Sequence, residues 1–348
     1  MIPYLVCVLP VAFICLFSNK RYGDNKKVIA LMLFPLFALI AFRGIGVGFD
    51  TLAYSNMFIA MKNNLFVLEA SYDRLEIGFK ILLKVLSVIS DNPQILFIVQ
   101  ALLFYVVFIN FLKRNTWSPA RFIVLFLGLN LFNFYLTGVR QAFAMSICIM
   151  AYQMAKERKL VRFLLLIALA FTFHKSAFFF IAIYPLCSKK INKNYIFLDV
   201  LLIGCVAVFN ERLFEIGGSV FDLKYGIESA ENGYLMVGIV VITTVMSFLY
   251  YATLVRKNPD CAILIQINSL SMAMWVLRIY SRTAERIALY FLPFTILLMI
   301  ELLDLPKDSR YKKMLNLGSV AFFTLYFIYR LNGVGLLPYQ FFWMNGGM

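Results

Sequence analysis

The residues of this chain that could do chemistry are mostly arginines. Arg140 opens an apolar stretch in Gly138-Val139-Arg140-Gln141, and Arg278, Arg282 and Arg286 recur every four residues with Glu285 among them. A guanidinium keeps its charge and offers forked donors, and a helix start adds positive partial charge, so Arg140 suits an anion such as a diphosphate. Arg43 and Asp50 bracket the glycine-rich run Gly44-Ile45-Gly46-Val47-Gly48. Glycines let backbone approach a ligand closely, but no Gly-Lys-Ser/Thr follows, so this is no P-loop. Proton transfer falls to Glu76, to Asp50 and to the single histidine, His174, in Phe173-His174-Lys175-Ser176.

Each feature also has a plainer reading. The glycines could turn the chain at a helix end, and Arg140 could snorkel to lipid phosphate. His174 could be a hydrogen-bonded helix terminus, and the 278–286 series could be an interfacial ladder, with Arg278 structural. One histidine cannot build a His-rich zinc site, and no catalytic triad or metal-ligand cluster is visible. The site reading therefore needs no metal and no cofactor.

The elements that must position these residues are apolar helices. Hydrophobic residues make up 62% of the chain and mean hydropathy is +0.82, more apolar surface than a soluble protein of this length can cover. Runs of about 15–22 residues predict about 12 spans, at 1–18, 28–43, 93–112, 120–137, 140–156, 160–174, 175–188, 195–210, 233–254, 261–280, 286–304 and 313–330. The expected fold class is an all-α polytopic membrane protein forming one membrane domain over 1–348. The first run lacks a basic leader region and a convincing cleavage site, so it reads as a retained span. The six cysteines lie in or beside apolar runs, with no CxxC pair.

Charge sets the expected orientation. The net charge of +15 falls in short clusters between the runs, which argues for a bilayer rather than nucleic acid as partner. Six alternate loops hold 20 of the 33 lysines and arginines and are placed in the cytoplasm. Both termini and the segments 43–92, 137–140, 211–232, 281–286 and 331–348 are then outside. Full crossing by Ile77–Ile89 would force Lys113 and Arg114 outside, so 74–91 is read as a non-crossing outer helix with a Glu76/Lys80/Lys84 stripe.

The sequence resembles the EpsG family of Wzy-like polysaccharide polymerases. The resembling residues are Arg43-Gly44 through Asp50 and Tyr54, Glu76-x-Gly78, Arg140-Gln141-x-x-Ala144, Ala170-x-x-x-His174-x-Ser176 and Arg282-x-x-Glu285-Arg286-x-x-x-Tyr290. They run in order over most of the chain, from about residue 30 to 340. The resemblance implies a C-type membrane glycosyltransferase-like fold in a bacterial inner membrane, with the active site facing outwards. It implies transfer of a growing glycan from undecaprenyl diphosphate to the non-reducing end of another lipid-linked unit, in O-antigen, capsule or exopolysaccharide synthesis. A flippase and a chain-length regulator of the same pathway are implied partners. Arg140, Arg282 and Arg286 are expected to hold the diphosphate, with Arg43 weaker. Tyr54, Gln141, Glu285 and Tyr290 line the substrate, and Glu76, His174 or Asp50 serves as base. A flippase or a glycan ligase is the alternative, but no internal repeat of a transporter is visible.

The orientation makes a prediction. In intact cells a cysteine placed at Ser281 labels with a membrane-impermeant thiol reagent and one at Ser188 does not. The opposite pattern inverts the topology.

Overall fold

The computed structural model describes residues 1–17, 23–63, 75–187, 195–209, 212, 234–279, 282–333 and 335–344, without the side chains of 195, 282 and 283. In chain order the helices are α1 (Ile2–Phe17), α2 (Lys26–Ala41), α3 (Thr51–Asn63), α4 (Ile77–Ile89), α5 (Gln94–Asn115), α6 (Pro119–Gly128), α7 (Leu131–Thr137), α8 (Val139–Lys156) and α9 (Leu160–Phe173). A 3₁₀ stretch, Lys175–Ala182, precedes α10 (Ile183–Leu186), α11 (Tyr195–Val208), α12 (Tyr234–Leu249), α13 (Tyr251–Lys257), α14 (Cys261–Arg278), α15 (Arg282–Ala288), α16 (Leu292–Leu303) and α17 (Ser309–Arg330). Among the described residues the only β pairing is one antiparallel bridge, Arg43 to Phe341.

The architecture is that of an all-α polytopic membrane protein. Three stretches, Gln94–Asn115, Cys261–Arg278 and Ser309–Leu331, are long and apolar enough to cross a membrane, and up to five if each of two bent pairs is one span. Five further apolar stretches are 10–17 residues long. The reading of 120–137 as one helix meets a 65° bend between α6 and α7, where Asn130 takes the left-handed conformation, φ 63°. The run 233–254 likewise bends by 80° between α12 and α13. The run 175–188 begins as a 3₁₀ helix, and 286–304 is divided between α15 and α16.

Two local outcomes differ from the sequence pattern. Within the stretch read as an outer loop, α3 forms because Tyr54, Phe58 and Met61 recur at helical spacing and all three are buried. The Glu76/Lys80/Lys84 stripe of α4 also does not face outwards. Lys80 is buried, and the Lys84 ammonium donates to the Met61 carbonyl at 3.2 Å. The exposed side of α4 is instead aliphatic: Ile77, Ile81, Val85, Val88 and Ile89. In α1, similarly, Tyr4, Val8 and Val11 pack inside while Ile2, Val6, Leu9 and Phe13 are exposed. Apolar residues on both faces of a helix are what a lipid solvent permits.

The described residues form two compact units. The first comprises Met1–Ala151, Leu164–Ala177 and Asn316–Met348; the second, Tyr152–Phe163 and Phe178–Leu315. In the first, α2 packs along α5, α1 along α6 and α3 along α4. Its glycine-rich run is held tightly: Gly48 has φ +84°, and a Cβ there would stand 2.6 Å from the Leu136 carbonyl oxygen. The Gly48 N–H donates to the Gly335 carbonyl at 2.8 Å, so the C-terminal segment is stitched to this loop.

The second unit is built around α14, which packs on α11, α12, α15 and α16. Its buried contacts are polar: Gln266 donates to Asp199 at 2.7 Å and Asn268 to Thr244 at 2.8 Å. Such bonds fix helix register where lipid offers no competing partner. Beyond the end of α16, Asp304 accepts from Lys257 at 2.5 Å and also pairs with Lys312. Burial alone would raise the Asp304 carboxyl, but the two lysines outweigh it and hold it below the usual carboxylate range.

Two glycines of this loop, buried Gly48 and exposed Gly46, should therefore behave differently. Gly48→Ala lowers stability in detergent by about 2 kcal/mol or more, from the positive φ and the close carbonyl. Gly46→Ala, where a Cβ meets nothing within 4 Å, changes it by no more than about 0.5 kcal/mol. Equal effects from the two substitutions, read by thermal unfolding, would refute this account of the loop.

Candidate functional site

In the first unit three helix ends bring polar residues together. Glu76 occupies the N-cap position of α4, Arg140 lies in the first turn of α8, and His174 follows α9. Gly78 allows the approach of α4 to the last turn of α9. A Cβ on Gly78 would come within 2.8 Å of the Thr172 carbonyl oxygen and closer still to its hydroxyl. Beneath these ends lies an apolar cluster that includes Tyr54, Phe58, Phe79, Leu83, Phe97, Val139 and Phe143. Burying that cluster fixes the directions from which the polar side chains project.

Arg140 is the centre of the arrangement. Its Nη1 donates to Glu76 Oε2 at 2.5 Å and its Nε to the Tyr54 hydroxyl at 3.2 Å. The side chains of Arg140 and Glu76 are 22% and 12% exposed, so the pair is shielded yet reachable. The other Glu76 oxygen accepts from the Lys175 backbone N–H at 3.4 Å, which ties the residue after His174 to the same carboxylate. Burial raises the Tyr54 phenol above its ordinary value and Arg140 offsets part of that rise, so the hydroxyl stays protonated at neutral pH.

The His174 ring is oriented by its own turn. Its Nδ1 lies 2.6 Å from Ser176 Oγ and accepts from the Ser176 backbone N–H at 3.4 Å. A backbone N–H can only donate, so Nδ1 is the acceptor nitrogen and, in the neutral ring, Nε2 carries the proton. In that tautomer His174 is set up to donate rather than to accept at Nε2.

Arg43 has a different environment. It is fully buried. Its Nη1 donates to the Ile40 carbonyl at 3.0 Å, its Nη2 to Gln100 Oε1 at 3.1 Å and its Nε to Thr51 Oγ1 at 3.3 Å, and its guanidinium stands 4.1 Å from the centre of the Phe97 ring. Every arm of the fork is spent on the protein itself. Asp50 is exposed, and its carbonyl accepts from Tyr54 N–H at 3.0 Å at the start of α3. Gln141 is buried beside Arg140 in sequence.

The second unit holds the remaining expected residues. Arg278, buried at the end of α14, donates through Nε to Glu285 Oε2 at 3.1 Å. Spacing sets Glu285 among Arg282 and Arg286; its carboxylate also meets Arg278, the last residue of α14. Arg286 is exposed and Tyr290 buried. The Arg282 side chain lies outside the described residues, as do the acidic segment 213–232 and Ser281. Among the described residues no group of three His, Cys, Asp or Glu is placed to hold a metal ion.

A model of the EpsG family matches residues 26–341 of the 348. The chain belongs to the EpsG family. Comparison with curated proteins and with solved structures gives no match. The EpsG match includes the glycine-rich run and the Glu76, Arg140, His174 and Arg286 positions. Membership suggests a polysaccharide polymerase-like, glycosyltransferase-like role in a membrane. Sequence reasoning for this EpsG chain did not single out the interlocking of Arg43 with Thr51 and Gln100, or the inward turn of Lys80. The signal for Arg43 was a charge at the end of an apolar run, and for Lys80 a charge within a largely apolar helix.

The central ion pair can be tested directly. In a double-mutant cycle, Glu76→Gln and Arg140→Gln couple by about 1 kcal/mol or more in unfolding free energy. Additive effects would mean that the pair contributes nothing to the fold.

Proposed function

We propose that this EpsG-family protein polymerises lipid-linked oligosaccharide repeat units on the outer face of a bacterial inner membrane. The growing glycan passes from undecaprenyl diphosphate to a hydroxyl at the non-reducing end of another lipid-linked unit. Supplying a surface polysaccharide such as O-antigen, capsule or exopolysaccharide, and a C-type glycosyltransferase fold, belong to the same proposal. The observation that carries it is the forked hold of Arg140 on Glu76 and Tyr54, a cation and a carboxylate a single contact apart.

The chemistry follows from that contact. The donor diphosphate competes with Glu76 for Arg140 and leaves the Glu76 carboxylate open to the acceptor hydroxyl. Glu76 takes the hydroxyl proton as the acceptor oxygen bonds to the anomeric carbon. The bond from that carbon to the diphosphate oxygen breaks with its electron pair. Arg140 stabilises the charge that gathers on the departing diphosphate. One displacement of this kind inverts the anomeric centre. His174, with Nε2 protonated, donates to a sugar or phosphate oxygen and ranks behind Glu76 as base; Asp50, held at the exposed start of α3, ranks third. Tyr54 and Gln141 keep Arg140 in place. On the sequence resemblance alone, Arg282 and Arg286 are proposed as further diphosphate contacts, with Glu285 and Tyr290 supporting them. Arg43 is proposed to act through α3 rather than on the donor.

Arg140→Lys keeps the charge but not the fork, and polymerisation falls by about 10²-fold or more while the protein still folds. Glu76→Gln is at least as damaging, whereas His174→Gln retains part of the activity. Chain-length analysis of lipid-linked glycans reads each variant, with single repeat units accumulating when the transfer fails. If Glu76→Gln polymerises normally, Glu76 is not the base. Activity persists in excess chelator; loss restored by added magnesium or calcium would replace the arginine-based reading with a metal-dependent one.

A further inference from the structure

The first turn of α6 holds an arginine for which the proposed reaction has no use. Arg121 is 8% exposed. Its Nε donates to Asn316 Oδ1 at 2.8 Å, and its guanidinium carbon lies 5.1 Å from the centre of the Trp117 ring. Its Nη1 is buried with no hydrogen-bond partner among the described residues. Asn316 cannot balance the charge, being neutral, and its own amide donates to the Cys15 carbonyl at 3.0 Å. Among the described residues no carboxylate pairs with Arg121.

The helix start beside it is open as well. Ser118 stands at the N-cap of this 10-residue helix but makes no side-chain cap bond. Pro119 has no N–H to give. The Phe122 N–H reaches the Ser118 carbonyl at 3.2 Å, whereas the N–H groups of Ala120 and Arg121 have no acceptor among the described residues. Trp117 and Ser118, just before the helix, are half-buried. Lys113 and Arg114 end the preceding helix. A buried cation without an anion is costly, and a helix N-terminus adds positive partial charge. Both call for an anion rich in acceptor oxygens.

We propose that the start of α6 is a phosphate-binding site, formed by the Arg121 guanidinium and the N–H groups of Ala120 and Arg121. A tetrahedral phosphate offers oxygens to a fork and to successive backbone N–H groups at once. The charge pattern puts this loop at the cytoplasmic surface, where the phosphate could belong to a phospholipid headgroup or to a free phosphate ion. The site is separate from the Arg140–Glu76 pair and does not depend on the polymerase reading.

The full-length protein, purified in detergent, is tested with phosphatidylglycerol, with diacylglycerol as the phosphate-free control and with inorganic phosphate. Native mass spectrometry counts retained lipid, and thermal unfolding reports stabilisation. Wild type retains phosphatidylglycerol over diacylglycerol, and Arg121→Gln weakens retention by about tenfold, the order expected for one charge-assisted contact. Ser118→Asp provides the second test, because it places a carboxylate at the open cap. It raises thermal stability and lowers phosphate binding together, so it decides the matter even if Arg121→Gln fails to fold. Stabilisation by inorganic phosphate that Ser118→Asp abolishes identifies the free ion as the ligand. Retention of phosphatidylglycerol without any effect of inorganic phosphate identifies the headgroup. If Ser118→Asp leaves both kinds of binding unchanged, or wild type binds neither, the proposal is overturned.

Discussion

Arg43 carries a positive charge into a fully buried position, and much of the first unit is arranged to make that tolerable. The acceptors that surround it come from three places: the last turn of α2 through Ile40, α5 through Gln100, and the first residue of α3 through Thr51. A buried polar group left without partners costs about 1–3 kcal/mol, more when charged. Satisfying one guanidinium therefore fixes where three helices meet. Gln100 in turn donates to the Tyr135 carbonyl at 2.7 Å, and Gln94 donates to the carbonyls of Ala41 and Arg43 at 2.6 and 3.3 Å. The backbone of Arg43 also bridges to Phe341, so the C-terminal segment closes over the same point.

This constraint reaches the candidate site through α3. Once Thr51 is held, the helix places Tyr54 one turn later, and the Tyr54 hydroxyl meets Arg140. Arg140 is thus positioned from both sides, by a phenol anchored to the Arg43 network and by a carboxylate at the start of α4. A side chain with several rotatable bonds loses substantial entropy on ordering. Two directional contacts that exist before substrate arrives remove that cost from the binding step. In the proposed reaction the same pairing would hold Glu76 until the donor diphosphate takes the guanidinium, linking release of the base to donor binding.

The second unit solves a different problem. Its central helix, α14, is buried on nearly all sides, and a helix surrounded by apolar neighbours in a lipid solvent gains little from hydrophobic exclusion. Hydrogen bonds from Gln266 and Asn268 to Asp199 and Thr244 supply the specificity that apolar contacts cannot. The Lys257–Asp304–Lys312 cluster performs the corresponding role outside the apolar region, with the Asp304 charge sustained by two ammonium groups.

The sequence by itself determined the membrane class, because 62% hydrophobic residues in long runs leave no soluble solution. It determined that the helices would be apolar and that Arg140, Glu76 and His174 would sit at their ends, because charge inside a span is costly and end positions are not. Residues 51–63 read as outer loop, and only the structure showed α3 there, with Tyr54, Phe58 and Met61 buried. Tertiary structure alone decided the rest. Hydropathy registers an unbroken apolar run and cannot see the left-handed Asn130 that divides 120–137, since one residue's backbone angle leaves the composition unchanged. Spacing put Glu285 next to Arg282 and Arg286, but gave no sign that its carboxylate meets Arg278, the last residue of α14. Which arginine serves the fold and which is left reachable is likewise a matter of neighbours. Arg43 and Arg140 have the same chemistry and both lie near glycine, Arg43 just before Gly44 and Arg140 two residues after Gly138. Only packing supplies one with three internal acceptors and leaves the other partly exposed and holding a carboxylate.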